Sequence, residues 1–104
     1  MDPWQVVAEP TRREILRLVW DEERPAGEIA AHFDVTFGAV SQHLAVLRDA
    51  GYVRVRREGT HHFYRADRDG LGPLAEALEG MWAVTLDRLA EAVEADGEEG
   101  GSRG

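Results

Sequence analysis

The chain has 104 residues, which is enough for one domain built around a single hydrophobic core. It is acidic, with a net charge of −8, and it contains no cysteine, which excludes disulfides, thiolate metal sites and a cysteine nucleophile. Since the sequence shows neither a signal peptide nor an apolar run long enough to cross a membrane, we expect a cytoplasmic protein with no membrane partner.

Five stretches carry apolar residues at helical spacing, and two short stretches alternate in the manner of half-buried strands. Two helices have recognisable starts: Asp2 precedes Pro3 as an N-cap, and Thr11 with Glu14 fits a capping box. The predicted fold class is mainly α with a small two-stranded β-hairpin, in the order ααααββα. The predicted helices span residues 2–9, 11–20, 25–33, 36–49 and 71–95, the strands span residues 52–57 and 61–66, and residues 96–104 form a disordered acidic tail.

The fourth helix has one apolar face and one small, polar face. At about 100° per residue, Leu44 and Leu47 fall within about 40° of Val40, and the three form the core face. Ser41 and Gln42 point away from that face. A helix packed on protein would carry bulk there, whereas small polar residues suit a helix that enters a DNA groove.

The start of this helix therefore supplies candidate DNA contacts. Gln42 can pair bidentately with adenine, and Ser41 can contact a base edge or a phosphate; the alternative is that both only keep the helix soluble. Phe37 either touches a thymine methyl group or packs the helix onto the core. His43 lies at the edge of the core face, which favours a structural histidine over a base contact. The candidates are Thr36, Phe37, Gly38, Ser41, Gln42 and His43.

Positive charge is concentrated in residues 36–66, which we call the basic island. It carries five arginines against two acids, a net charge of +3, while the other 73 residues carry −11. A phosphate backbone is the partner that such a patch predicts, and a solvated strand face is the alternative. Arg12 and Arg13, outside the island, are candidates for a phosphate or an acidic partner. The hairpin candidates for DNA contact are Arg54, Arg56, Arg57, Thr60 and His61.

Three motifs in this order resemble the ArsR/SmtB family of bacterial repressors. They are EPTRREIL at residues 9–16, VSQHLAVLRDAGYV at residues 40–53, and the hairpin residues RREG at 56–59 with YR at 64–65. The likeness covers about residues 3–70. It implies a winged helix-turn-helix domain over residues 1–95, and a homodimer that binds palindromic double-stranded operator DNA and represses its own or a neighbouring operon.

The resemblance also implies that the first and last helices form the dimer interface, and both helices have apolar faces. The predicted interface residues are Trp4, Val7, Leu71, Leu74, Leu78, Met81, Trp82, Leu86 and Leu89.

The metal-binding patterns of the family do not carry over to this chain. Where some members have a Cys-x-Cys pair in the third helix, residues 25–29 read PAGEI, and the last helix has no histidine. His61 and His62 point to opposite faces of a strand, so together they cannot chelate one ion. We predict no metal site, no cofactor and an unknown, non-thiol inducer.

Two other functions stay open: a winged-helix module that binds protein rather than DNA, and a repressor that senses metal through His, Asp and Glu. No nucleophile with a base, phosphate-binding glycine loop or carboxylate pair indicates an enzyme.

Overall fold

The structure is a computed structural model that describes residues 2–84. The helices are α1 (Pro3–Ala8), α2 (Pro10–Leu18), α3 (Ala26–Ala30), α4 (Phe37–Asp49) and α5 (Arg68–Leu71), and the strands are β1 (Arg24–Pro25), β2 (Val53–Glu58) and β3 (His61–Ala66). Residues 73–84 are also helical and are called α6. The predicted fold class is confirmed: helices predominate, with a small antiparallel sheet. The predicted end of the last helix and the predicted tail lie outside the described residues.

The predicted start of α1 is confirmed, but the predicted capping box of α2 is wrong. The Asp2 side chain accepts the backbone N–H of Trp4 at 3.0 Å. Helix α2 is capped by Glu9, whose carboxylate accepts the N–H of Arg12 at 2.9 Å. Because Pro10 begins the helix one residue before Thr11, the cap position already belongs to Glu9.

Arg12 and Arg13 bind the carbonyl end of α1. The Nε of Arg12 donates to the carbonyl of Val6 at 2.7 Å, and Nη1 of Arg13 donates to the carbonyl of Ala8 at 2.9 Å. The last carbonyls of a helix have no partner within the helix, and the two guanidinium groups supply one. These arginines therefore fasten α1 to α2.

The hairpin has a third strand, so the predicted two-stranded sheet needs correction. Strand β1 pairs antiparallel with β3, with Arg24 opposite Tyr64 and Pro25 opposite Phe63, and the strand order is β1-β3-β2. A strand of two residues has no alternation that a sequence pattern could reveal. Pro25 consequently lies in the sheet and serves as the N-cap of α3, which ends at Ala30 rather than near residue 33.

Helices α2, α3 and α4 bury apolar side chains, and these form the core of the unit Met1–Gly72. The fully buried large side chains are Ile15, Leu16, Val19, Ile29, Val40, Leu44 and Leu47.

The predicted last helix is interrupted at its start, so the described residues contain six helical segments rather than five. Gly72 has φ +57° and separates α5 from α6. Positive φ at this position favours glycine, and a proline directly after it suits the first turn of the next helix. The described residues from Pro73 to residue 84 belong to a second compact unit.

Gly70 lies against the backbone of Gly51, which follows α4 with φ +81°. A Cβ atom added at Gly70 would be 1.8 Å from the carbonyl oxygen of Gly51, so the backbone would have to move. We expect Gly70→Ala to lower the free energy of unfolding by about 1–3 kcal/mol, the usual cost of overpacking, as measured by urea denaturation.

Gly27→Ala is the matched control. No atom lies within 4 Å of a Cβ added there, so the change should be neutral or stabilise by about 0.4–1 kcal/mol. Equal stability of Gly70→Ala and the wild type would contradict the close approach of α5 to Gly51.

Candidate nucleic-acid interface

The N-terminus of α4 is capped by Thr36. Its side-chain oxygen accepts the N–H of Ala39 at 3.1 Å, and the helix begins at Phe37. On the core side of this helix, Val40 and Leu47 are 1% and 0% exposed. Because burial of this face fixes the rotation of the helix, the opposite face is held toward solvent.

Gly38, Ser41 and Gln42 occupy that solvent side, and we call them the reading face. All three are exposed and none is charged. Gln42 lies one helical turn after Gly38, so the two share a face with Ser41 between them. An α-helix is about 10–12 Å wide and the major groove of B-DNA is about 12 Å wide, so this surface has the shape that groove insertion requires.

His43 lies closer to the core than the reading face. Its side chain is 25% exposed, and Nε2 is 3.8 Å from the carboxylate of Glu9. The histidine therefore faces the junction of α1 and α2. Its partial burial agrees with the predicted position at the edge of the core face of α4. It is less accessible to a groove than Ser41 or Gln42.

The two long strands of the sheet, called the wing, have two distinct faces. Antiparallel register places Arg54 opposite Arg65 on one face and Val55 opposite Tyr64 on the other. On the second face Tyr64 is buried, which anchors the base of the wing to the core. The outer face carries the charged residues Arg54, Arg56, Glu58 and Arg65.

Arg56 is bound by two carboxylates on this outer face. Its Nη2 lies 2.6 Å from Glu23, its Nη1 lies 2.6 Å from Glu58, and its guanidinium carbon lies 4.5 Å from the centre of the Phe63 ring. The hydrogen bond from Arg56 holds the pKa of the Glu23 carboxyl below its usual range. A phosphate reaching Arg56 must therefore compete with two acids.

Arg54 is also paired, with Asp67 at 3.1 Å. The pKa of Asp67 is lowered, first by the hydrogen bond from the N–H of Gly70 and then by Arg54. Glu23 and Asp67 lie outside the basic island in sequence but contact it in space. The positive charge of the island is therefore smaller than its own residues indicate.

Two other wing arginines form no ion pair with a carboxylate within residues 2–84. Nε of Arg57 donates to Nε2 of His62 at 3.1 Å, and Arg65 is exposed across from Arg54. Arg65 was not among the predicted DNA contacts. The alternation of the strand could have revealed it, because Arg65 follows Phe63 by two residues and both lie on the outer face, opposite Arg54 and Arg56.

The remaining hairpin candidates lie at the exposed tip. Gly59 takes φ +59° in the turn, followed by Thr60, and His61 stands opposite Glu58. His62 stands opposite Arg57, so the two histidines do point to different faces, as predicted. Across residues 2–84, no group of three or more His, Cys, Asp or Glu side chains is arranged to hold a metal. In that same range no helix combines the length and apolarity needed to cross a bilayer.

The predicted interface residues fall into three groups. Val7, Leu71, Leu74 and Leu78 are buried within the single chain. Trp4 is 58% exposed, Met81 is 40% exposed and Trp82 is intermediate. Leu86 and Leu89 lie outside the described residues.

Comparison with known proteins agrees with this geometry. Residues 9–55 match the family model described as "Bacterial regulatory protein, arsR family". The HTH-type transcriptional regulator Rv2034 of Mycobacterium tuberculosis is 35% identical over 96 residues, covering 92% of this chain and 90% of that protein. The biofilm growth-associated repressor of Agrobacterium fabrum is 34% identical over 85 residues, covering 82% of this chain and 73% of that protein.

A crystal structure described as a possible transcriptional regulator for arsenical resistance superposes with a TM-score of 0.68 at 40% sequence identity. The match covers 88% of this chain and 96% of the other. The sequence motifs, the winged fold and these relatives agree. The chain therefore belongs to the arsR family of bacterial regulatory proteins, and it is a DNA-binding transcription regulator rather than an enzyme.

Proposed function

We propose that this regulator is a homodimeric repressor that binds a palindromic operator and controls its own or a neighbouring operon. The observation that carries the proposal is the exposed, uncharged reading face of α4 beside an arginine-bearing wing. The relative from Agrobacterium fabrum is named a repressor, which supports the direction of regulation. The bacterial cytoplasm, where operator DNA lies, is the proposed location.

The two parts of the surface have different tasks in this proposal. Gln42 and Ser41 contact base edges and supply specificity, while the wing contacts phosphates and sets the register of the protein on the duplex. Arg57 and Arg65 are the foremost phosphate contacts, because neither forms an ion pair with a carboxylate within residues 2–84, whereas Arg54 and Arg56 are already bonded to carboxylates. Thr36 adds a hydroxyl at the helix end, where N–H groups attract anions.

Dimerisation rests on the interface residues that the single chain leaves exposed. Trp4 and Met81 present large apolar side chains to solvent, and burying them in a dimer would be favourable. Val7 and Leu74 are already covered within the chain and have little further area to bury. A two-fold dimer would place its recognition helices about one DNA turn, roughly 34 Å, apart.

The release signal is proposed to act without thiolate chemistry, since the chain has no cysteine. Its chemical class is left unassigned.

Selection of duplexes from a random pool tests the proposed function directly. We expect enrichment of a palindrome whose half-sites are about one helical turn apart. If no sequence is enriched and the protein binds no duplex at low salt, the proposal is wrong and a protein-binding module takes its place.

Gln42→Ala should weaken binding to the selected operator by about 1–3 kcal/mol while leaving binding to unrelated DNA unchanged. Fluorescence anisotropy with specific and scrambled duplexes measures both. Unchanged operator affinity would remove Gln42 from the base contacts.

Arg57→Ala is the contrasting variant and should weaken binding to both duplexes alike and reduce the salt slope by about one. Arg17→Ala makes an equal charge change on α2 and should have neither effect.

Glu23→Gln should strengthen DNA binding because it releases one of the two carboxylates that hold Arg56. We expect a modest gain in affinity at low salt, because an exposed ion pair is weak and is screened by salt, together with a steeper salt dependence. Titration at two salt concentrations measures both quantities.

Glu22→Gln is the matched control for this variant. It removes the same charge one residue earlier, and its carboxylate pairs with Arg24 at 3.7 Å rather than with Arg56. An equal gain from both variants would show that net charge alone is responsible.

Trp4→Glu should weaken the homodimer at least tenfold, because loss of a buried indole costs more than about 1.4 kcal/mol. Sedimentation velocity over a concentration series measures the monomer–dimer equilibrium. Val55→Glu, at an apolar wing residue that is 37% exposed, is the control and should leave the equilibrium unchanged. A wild-type protein that sediments as a monomer throughout would refute the dimer.

A further inference from the structure

Two large apolar side chains are exposed at the start of α4. Phe37 is 57% exposed and Val35 is 50% exposed, on either side of the capping residue Thr36. The sequence left open whether Phe37 packs the helix onto the core. With more than half of its surface in solvent, the ring is not enclosed by the core, and its apolar area is available to a partner.

The position of Phe37 points to DNA as that partner. Phe37 lies one helical turn before Ser41, so its ring stands on the same side of α4 as the reading face. Gly38 beside it adds no side chain, and a Cβ there would meet nothing closer than Thr36 Oγ1 at 3.9 Å. A duplex that reaches Ser41 and Gln42 therefore also reaches Phe37.

Only one apolar group lies on the base edges of the major groove, the C5-methyl group of thymine. A bidentate contact from Gln42 selects adenine, and the thymine of an A·T pair presents its methyl group in the same groove. An uncharged helix end that combines an amide with an exposed ring is thus matched to A·T-containing sequence.

We propose that Phe37, with Val35 beside it, reads thymine methyl groups in each operator half-site and is a specificity-determining residue. This inference rests on the proposed function, because it assigns the chemistry read by the same helix. It commits the exposed apolar end of α4 to duplex DNA rather than to a protein partner.

Deoxyuridine provides the test, because it pairs as thymine does but lacks the methyl group. Each thymine of the selected operator is replaced in turn, and the dissociation constant of the wild-type protein is measured by anisotropy. We expect at least one position per half-site where the replacement weakens binding about fourfold, the loss expected for one buried methyl group. At the other thymines the affinity should stay the same.

Variants assign the effect to the ring. Phe37→Ala should bind the thymine operator more weakly and should no longer distinguish deoxyuridine from thymine at those positions. Phe37→Leu keeps an apolar side chain and should retain the distinction. Ser41→Ala, one turn along the same face, should weaken binding without removing the methyl effect. Circular dichroism checks that each variant is folded. The deoxyuridine measurement on the wild-type protein does not depend on the folding of any variant.

The inference is overturned if deoxyuridine binds as well as thymine at every position, or if Phe37→Ala keeps the full methyl effect. In either case the operator itself has been found, so the proposed function stands. If no duplex is selected, the proposed function and this inference fail together.

Discussion

The burial of Val40, Leu44 and Leu47 determines which residues of α4 are turned toward solvent. These three side chains are 1%, 2% and 0% exposed, and a helix is rigid about its axis once such a stripe is packed. Every residue on the opposite side then has a defined direction, without needing contacts of its own. Ser41 and Gln42 consequently extend into solvent from an element whose position is set by the core. The backbone that carries them is therefore ordered before binding, and only their side chains have to be ordered by the contact.

Ion pairs with carboxylates reduce the positive charge of the wing. The wing has arginines on its outer face, yet Glu23 and Asp67 are brought to two of them by the fold. Such pairs contribute little to stability, because they are exposed to solvent and screened by salt. In the proposed complex we expect them to act on affinity instead, by keeping nonspecific attraction to phosphate low in a chain with a net charge of −8. On that proposal, discrimination between sequences depends more on base contacts than on charge.

Sequence reasoning succeeded for α4 because all its signals are local. A threonine cap, an apolar stripe and a glycine at the end occur within one short stretch, and the structure contains all three. It failed where an element is too short to show a sequence pattern, and where the determining contact joins residues that are far apart in the chain. Strand β1 has two residues and exists only through pairing with β3. The partner of Arg56, Glu23, lies 33 residues away, so no local pattern could reveal it.

Glu9 connects α1 to α2 without a loop. This residue ends α1 and begins α2, with φ −76° and ψ 122°, and no loop separates the two helices. The proline that follows restricts Glu9 to an extended conformation, while Arg12 and Arg13 bind the end of α1 from the other side. In the proposed dimer, where Trp4 of α1 lies at the interface, this corner would connect the interface to the helix that carries the reading face, because the Glu9 carboxylate lies 3.8 Å from Nε2 of His43.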